Sequence, residues 1–264
     1  IVVPVYRSQS VISTLVEQVS FILSTNMPSL NFEIILVNDG SPDQSWTTIC
    51  ELASTYSFVK GISLRRNFGQ HNATMAGLNY ANGKFIVIMD DDLQHPPSSI
   101  PAMLETLSHG HDVCYTHYKN RKHELWKKIG SAINDRIATM IIGKPKNLYL
   151  SSFKALRSEV VKEIIKYDGP YTYIDGLILN VTSSITSIEI EHQSRFDGKG
   201  NYNLKSSISL WLKMLTGFSV APLRFASILG LIISAMSFII IIAVIIHKII
   251  DPNLAVGWAS LISV

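Results

Sequence analysis

The segment Ile86-Val87-Ile88-Met89-Asp90-Asp91-Asp92-Leu93-Gln94 sets three carboxylates at the end of an apolar run. Adjacent carboxylates repel one another, so such a cluster is costly unless a cation neutralises it. Hard divalent cations take oxygen ligands. Mg²⁺ is commonly held by one or two carboxylates together with substrate phosphates, and Mn²⁺ suits the same donors. If the segment is extended, Asp90 and Asp92 face the same way and Asp91 points elsewhere, toward ribose hydroxyls. The bland reading is a solvated acidic turn. The strand before it and Gln94-His95-Pro96-Pro97 after it favour the cation.

Val37-Asn38-Asp39-Gly40-Ser41 is weaker alone, because Asp-Gly-Ser is common turn chemistry. At a strand end, Asp39 is a candidate acceptor for a nucleobase N–H. Asp175 lies near an apolar helix start, where a carboxylate is favoured anyway. It reads either as a catalytic acid or as a cap. His95 is a second candidate ligand beside the acidic cluster, whereas His71, His117 and His192 carry no signal of their own.

The elements that must position these residues alternate strand and helix patterns. Strand-like runs cover Ile1–Tyr6, Phe32–Val37, Val59–Leu64, Phe85–Met89 and Asp112–Tyr115, with later ones at Phe153–Leu156 and Ile185–Glu191. Helical spacing covers Val11–Leu23, a segment capped by Asp43 through Tyr56, Asn72–Tyr80, a helix opened by Pro96-Pro97, and Leu125–Ile142. This order predicts an α/β fold with a mostly parallel sheet and helices on both faces. Ligands of such sheets bind beyond the carboxyl ends of the strands. Asp39 and Asp90–Asp92 fall there.

Apolar residues make up 47% of the chain and mean hydropathy is positive, with the excess toward the C-terminal end. Phe225–Ile246 carries no charge and is long enough to span a bilayer. Leu254–Val264 begins a second apolar run. Just before the first span, Lys205–Leu215 combines Leu210, Trp211, Leu212, Met214 and Leu215 with Lys205 and Lys213, the pattern of a helix lying in the membrane interface. The resulting organisation is a catalytic domain over 1–204, an interface helix over 205–219 and a membrane region over 220–264. The chain starts in a strand at Ile1 and stops inside an apolar run, so it reads as a piece of a longer, multi-pass protein with no signal peptide in view. Basic residues flank the span on both sides and orient it only weakly. The catalytic side is expected to be cytosolic.

A net charge of +3 leaves no nucleic-acid footprint. Basic residues gather instead at Lys119–Lys128 and Lys144–Lys146, a face suited to phosphates or anionic headgroups, or an ordinary solvated surface. Cys50 and Cys114 lie inside apolar patterned segments and read as buried free thiols, in keeping with a reducing compartment. Homo-oligomerisation is left open.

Taken together, these segments resemble the inverting glycosyltransferases of family two with the GT-A fold. The likeness is greatest to polyprenyl-phosphate glycosyltransferases, the dolichyl-phosphate mannose synthases and the bacterial undecaprenyl-phosphate sugar transferases. It runs through Val3-Pro4-Val5-Tyr6, Val37–Ser41, Arg66-Asn67-Phe68-Gly69-Gln70, Met75-Ala76-Gly77-Leu78, Asp90–Pro97, Ser152–Arg157 and Pro222-Leu223-Arg224. The string Asp-x-Asp-Leu-Gln-x-Pro-Pro is the most specific of these.

The resemblance implies that Pro4, Tyr6, Val37 and Asp39 line the nucleobase and ribose pocket, with Arg66 and Gln70 shaping it. Asp90 and Asp91 would contact the nucleotide. Asp90, Asp92 and Gln94 would hold Mg²⁺ or Mn²⁺ on its diphosphate. The substrates implied are a nucleotide sugar, with uridine favoured, and undecaprenyl phosphate at a bacterial inner membrane. The product would supply cell-envelope glycan modification, such as that of lipopolysaccharide. Lys119, Lys128, Arg195 and Lys199 are the candidates for the acceptor phosphate.

The sequence departs from the family pattern in two places. Tyr6-Arg7-Ser8-Gln9 stands where many relatives read Tyr-Asn-Glu-Glu, and the segment Leu150-Ser151-Ser152-Phe153-Lys154 lacks the Asp that many carry shortly before a Phe-Arg pair. The second departure removes one family candidate for a catalytic base. A lipid phosphate is already anionic at neutral pH and needs no base before attack. Two rival readings remain. A processive polysaccharide synthase would need a Gln-x-x-Arg-Trp motif, which is not found. A membrane-tethered nucleotide-binding protein without turnover sits poorly with the complete Asp90, Asp92 and Gln94 set.

Overall fold

The computed structural model describes residues 1–118, 145, 148–169, 171–190 and 221–250, with side chains from residue 226 onward in the last segment. The chain divides into two compact units, Ile1–Ser209 and Leu210–Val264.

The first unit is built on a seven-stranded sheet of β1 (Val2–Val5), β2 (Ile34–Asn38), β3 (Val59–Ser63), β4 (Phe85–Ile88), β5 (Val113–Tyr118), β6 (Lys154–Arg157) and β7 (Ile185–Ile190), in the order β3-β2-β1-β4-β6-β5-β7. Only β6 runs against its neighbours, antiparallel to both β4 and β5. The chain moves outward from β1 to β3 and then returns to place β4 on the other side of β1. That reversal makes the carboxyl ends of β1 and β4 the switch point where open α/β sheets bind ligands.

The helices are α1 (Ile12–Asn26), α2 (Ser45–Thr55), α3 (Gln70–Tyr80), α4 (Ile100–Ser108), α5 (Ser158–Ile164) and α6 (Ile174–Val181). The stripe Ile12, Leu15, Val16, Val19 and Leu23 recurs at helical spacing and is buried. It joins Val3, Val5, Ile34, Leu36, Met89 and Phe153 in the main core, together with residues of α2 and α4. On the opposite face α3 lies directly on β1, because Gly77 has no side chain there. A Cβ at Gly77 would stand 2.4 Å from Val2. Burying each large aliphatic side chain in these layers contributes about 1.5–3 kcal/mol.

The expected strands and helices are present with shifted ends. Pro96-Pro97 opens a 3₁₀ turn at Pro97–Ser99 before α4 begins. Asp43 lies two residues before α2 and accepts hydrogen bonds from the Ser45 amide and hydroxyl, so it leads into the helix through a side-chain turn. The segments Leu125–Ile142, Lys205–Leu215 and Leu254–Val264 lie outside the described residues.

The second unit contains α7 (Ala221–Ile250). Ala226–Ile250 is long and apolar enough to cross a membrane, the one such helix among the described residues. Its large apolar side chains are exposed. The helix continues about one turn past the expected end at Ile246, through His247-Lys248. Its 25 apolar-stretch residues give about 37 Å of helix, against about 30 Å of hydrocarbon.

Candidate active site

Three connections meet at the carboxyl ends of β1 and β4. The first is the turn after β2. Asp39 is buried, and its two oxygens accept the backbone N–H groups of Phe68 at 2.7 Å and Gly69 at 2.9 Å. Next to it, Gly40 has φ +61°, and a Cβ there would lie 2.5 Å from the Arg66 carbonyl carbon. Only glycine allows the two loops to approach this closely. The β3–α3 loop is thereby fixed against the end of β2. On its outer side the Arg66 guanidinium lies 4.7 Å from the centroid of the exposed Phe68 ring.

The second connection is the turn after β1. Tyr6 is exposed, and Arg7 adopts φ +59° with its guanidinium 5.3 Å from the Tyr6 ring centroid. Both the Tyr6 amide, at 3.0 Å, and the Ser8 hydroxyl, at 2.5 Å, donate to Asp91 Oδ2. Burial pushes the Asp91 carboxyl up to about 6. The charges of Asp90 and Asp92 add to the rise, and the hydrogen bonds from Ser8 and Tyr6 oppose it.

The third connection is the acidic turn itself. It is not extended: bends run through Asp91–Leu93, and Leu93 has φ +59°. The alternation that would aim Asp90 and Asp92 together therefore does not apply. Asp90 turns toward α3 and β6. Gln70 Nε2 donates to its Oδ1 at 2.5 Å and Ser152 Oγ to its Oδ2 at 2.6 Å. Asp91 turns toward the β1 connection, and Asp92 Oδ1 accepts the Gln94 amide at 3.1 Å. His95 is buried and stacked on Phe153 at 5.0 Å, and its Nδ1 accepts the Asp90 backbone N–H. That bond places the ring proton on Nε2, 3.4 Å from the Ser152 hydroxyl.

The site thus brings together Tyr6, Asp39, Arg66, Gln70, Asp90, Asp91, Asp92 and Gln94. Pro4 and Val37 are register partners buried in the sheet beneath them. Ser8 and Ser152 anchor the acidic turn although their types alone did not assign them a part, and His95, expected as a candidate ligand, accepts the Asp90 backbone N–H at its Nδ1 instead. Ser152 was legible only as part of the Leu150–Lys154 segment, which departs from the family pattern by lacking an Asp. Lys119, Lys128, Arg195 and Lys199 lie outside the described residues. Asp175, in the first turn of α6, makes no capping bond. It pairs instead with Lys154 of β6.

A divalent cation fits this turn in one particular way. Among the described residues, no three His, Cys, Asp or Glu side chains gather closely enough to hold an ion by themselves. The expected ligands Asp90, Asp92 and Gln94 are hard oxygen donors by type, and a cation bound by so few would take further ligands from a substrate's phosphates, the usual manner of Mg²⁺.

Residues 1–165 match the model of Glycosyl transferase family 2. The chain is 32% identical over 261 residues to the undecaprenyl-phosphate 4-deoxy-4-formamido-L-arabinose transferase of Proteus mirabilis, covering 98% of this chain and 78% of that one. It is 30% identical to the transferase of the same name from Photorhabdus laumondii, covering 98% and 79%. Among solved structures, glucosyl-3-phosphoglycerate synthase from Mycobacterium tuberculosis in complex with Mn²⁺, UDP-glucose and phosphoglyceric acid superposes with a TM-score of 0.56 at 15% identity, covering 81% of this chain and 77% of that one. A likeness at that identity shows the shared fold alone.

Proposed function

This chain belongs to glycosyl transferase family 2, and on that premise we propose that it transfers a sugar from a nucleotide sugar, a UDP-sugar in the first place, to undecaprenyl phosphate at the cytosolic face of a bacterial inner membrane. The observation that carries the reading is the anchoring of Asp90 and Asp91 at the switch point by Gln70, Ser152, Tyr6 and Ser8. Those bonds preset carboxylates where a nucleoside diphosphate would lie. The lipid acceptor is supported by the names of the relatives and by the apolar helix α7.

Asp90, Asp92 and Gln94 would hold Mg²⁺ or Mn²⁺, which when bound offsets charge growing on a leaving diphosphate. Tyr6 and the loop pinned by Asp39 would seat the nucleoside, with the Phe68 and Tyr6 rings as exposed apolar surfaces. In the transfer, an oxygen of the lipid phosphate forms a bond to the anomeric carbon. The bond from that carbon to the nucleotide breaks on the opposite face. The nucleoside diphosphate leaves with the electron pair, and the configuration inverts. No base is needed, because the phosphate oxygen is already anionic at neutral pH. The lack of an Asp in Leu150–Lys154, before the place of the family's Phe-Arg pair, is consistent with that. Arg195, Lys199, Lys119 and Lys128 are proposed to hold the acceptor phosphate. Arg195 is favoured for its two parallel hydrogen bonds. Replacing it should raise the acceptor KM and leave nucleotide affinity unchanged.

The organisation proposed is a catalytic domain over 1–204, an interface helix over 205–219, and a membrane region from 220 that anchors the site near its lipid substrate. The experiment that tests the function incubates the membrane-bound protein with a panel of radiolabelled nucleotide sugars, Mn²⁺ and undecaprenyl phosphate. One donor should label the lipid. Labelling by none, in a protein that binds nucleotide, would exclude the reading.

A further inference from the structure

Lys154, Asp175 and Tyr115 form a buried polar cluster that the transfer step above does not use. Lys154 is 3% exposed, Asp175 6% and Tyr115 0%. The Lys154 ammonium pairs with Asp175 Oδ1, and the Tyr115 hydroxyl donates to the same oxygen at 2.8 Å. The ammonium also lies 5.1 Å from the centroid of the Tyr115 ring. Burial, with the Asp175 charge beside it, holds the Tyr115 hydroxyl well above its usual pKa, so it remains a proton donor.

Both donors converge on one carboxylate oxygen. Among the described residues, the only fully buried side-chain polar atom without a partner is His117 Nδ1. Among the described residues no hydrogen bond reaches the second oxygen of Asp175, and the side chain keeps 9% of its surface exposed. Lys154 has three N–H donors, of which the pair with Asp175 uses one. The cluster thus keeps an acceptor and donors in reserve, side by side.

Its place in the fold is next to the acidic turn. Lys154 opens β6 opposite Ile88, two residues before Asp90, and Ser152 just ahead of it donates to Asp90. Asp175 is in the first turn of α6. Tyr173, the residue capping that helix, meets the ring of His71 edge-on at 5.1 Å. His71 follows Gln70, which also donates to Asp90. The cluster and the carboxylates of the turn are therefore tied to the same short segments of α3 and β6.

A buried ion pair is poor economy for stability, since well-packed apolar residues of similar volume often do as well or better. A reserve acceptor beside reserve donors matches a group that donates and accepts at once, and a sugar hydroxyl is such a group. We propose that Asp175 and Lys154 form the subsite that reads the hydroxyl groups of the donor sugar. Asp175 accepts from one hydroxyl, and Lys154 donates to it or to its neighbour. Tyr115 holds the carboxylate in place. Asp175 is then a binding residue rather than a base. This inference rests on the reading that the donor is a nucleotide sugar.

The test compares affinity for UDP with affinity for UDP-glucose, UDP-galactose, UDP-xylose and UDP-N-acetylglucosamine, using the whole chain in detergent micelles with Mn²⁺. The parent should bind at least one UDP-sugar more tightly than UDP. Asp175→Asn should lower that preference about tenfold or more, as expected where a site built to bond a hydroxyl is disturbed, with UDP affinity within about twofold of the parent. The double variant Lys154→Met with Asp175→Leu removes both charges, so it should keep the parent's melting temperature and lose the same preference. Retention of the parent's preference in either variant overturns the subsite and leaves the transferase reading standing. A parent that binds UDP and gains nothing from any sugar also overturns the subsite. A parent that binds none of these nucleotides overturns both.

Discussion

Ser152 donates its hydroxyl to Asp90 Oδ2 across 2.6 Å, joining the start of β6 to the turn that follows β4. With Gln70 on the other oxygen, it fixes the plane of a carboxylate that would otherwise rotate. Ser152→Ala is expected to lower turnover about 10–100-fold, the usual loss when a group supporting a metal-binding ligand is removed. The melting temperature should change little. Steady-state kinetics on a variant of verified stability would check this, and parent-like turnover would remove Ser152 from the account.

Asp39 is expected to act through the loop it holds. Asp39→Ala leaves the Phe68 and Gly69 N–H groups without their buried acceptor, at about 1–3 kcal/mol for each orphaned group. Amides of residues 64–70 should exchange with deuterium faster, and nucleotide affinity should fall about tenfold. Hydrogen-exchange mass spectrometry reads the first effect and titration with UDP the second. Unchanged exchange would show that the loop is held by something else.

The two cysteines should behave differently. Both are free thiols, but only Cys114 is buried as expected; Cys50 is exposed, on the face of α2 away from buried Ile49 and Leu52. Burial pushes the Cys114 thiol up to about 11. The thiolate is the reactive form, so raising pH toward 9 should leave Cys114 unreactive. One thiol per native chain should be titrated by a maleimide at pH 8, and a second only after unfolding. Two fast-reacting thiols in the native protein would contradict the placement of β5 inside the sheet.

Asp92 bears on the cation. Asp92→Asn should abolish detectable transfer and remove the dependence of UDP affinity on Mn²⁺ or Mg²⁺. In the parent, a chelator should reproduce both losses, and added metal should reverse them. Full activity in Asp92→Asn would rule out Asp92 as a ligand.

Much of this architecture is legible in the sequence because parallel strands buried on both faces read as unbroken apolar runs, as in Ile34–Val37 and Ile86–Met89. Asp39 and Asp90–Asp92 could be placed at strand ends for the same reason. The direction of each carboxylate was not legible. Bends run through Asp91–Leu93, which no alternation pattern anticipates, and they remove the extended geometry on which the common facing expected for Asp90 and Asp92 rested. The commitment of Asp39 to Phe68 and Gly69 is a contact between loops distant in sequence. Lys154 offered only a polar residue in a strand pattern. Its pairing with Asp175 depends on α6 packing against α5 and α3, which local propensity does not encode.

The choice of acceptor tests the central claim most directly. A labelled donor sugar is offered to the protein in detergent micelles with undecaprenyl phosphate, undecaprenol and a soluble oligosaccharide in equal amounts, and the label is then partitioned between organic and aqueous phases. The account predicts label in the organic phase, only when the phosphorylated lipid is present, and less of it for Arg195→Ala at limiting lipid. Label on the oligosaccharide, or equal labelling of undecaprenol, would contradict it.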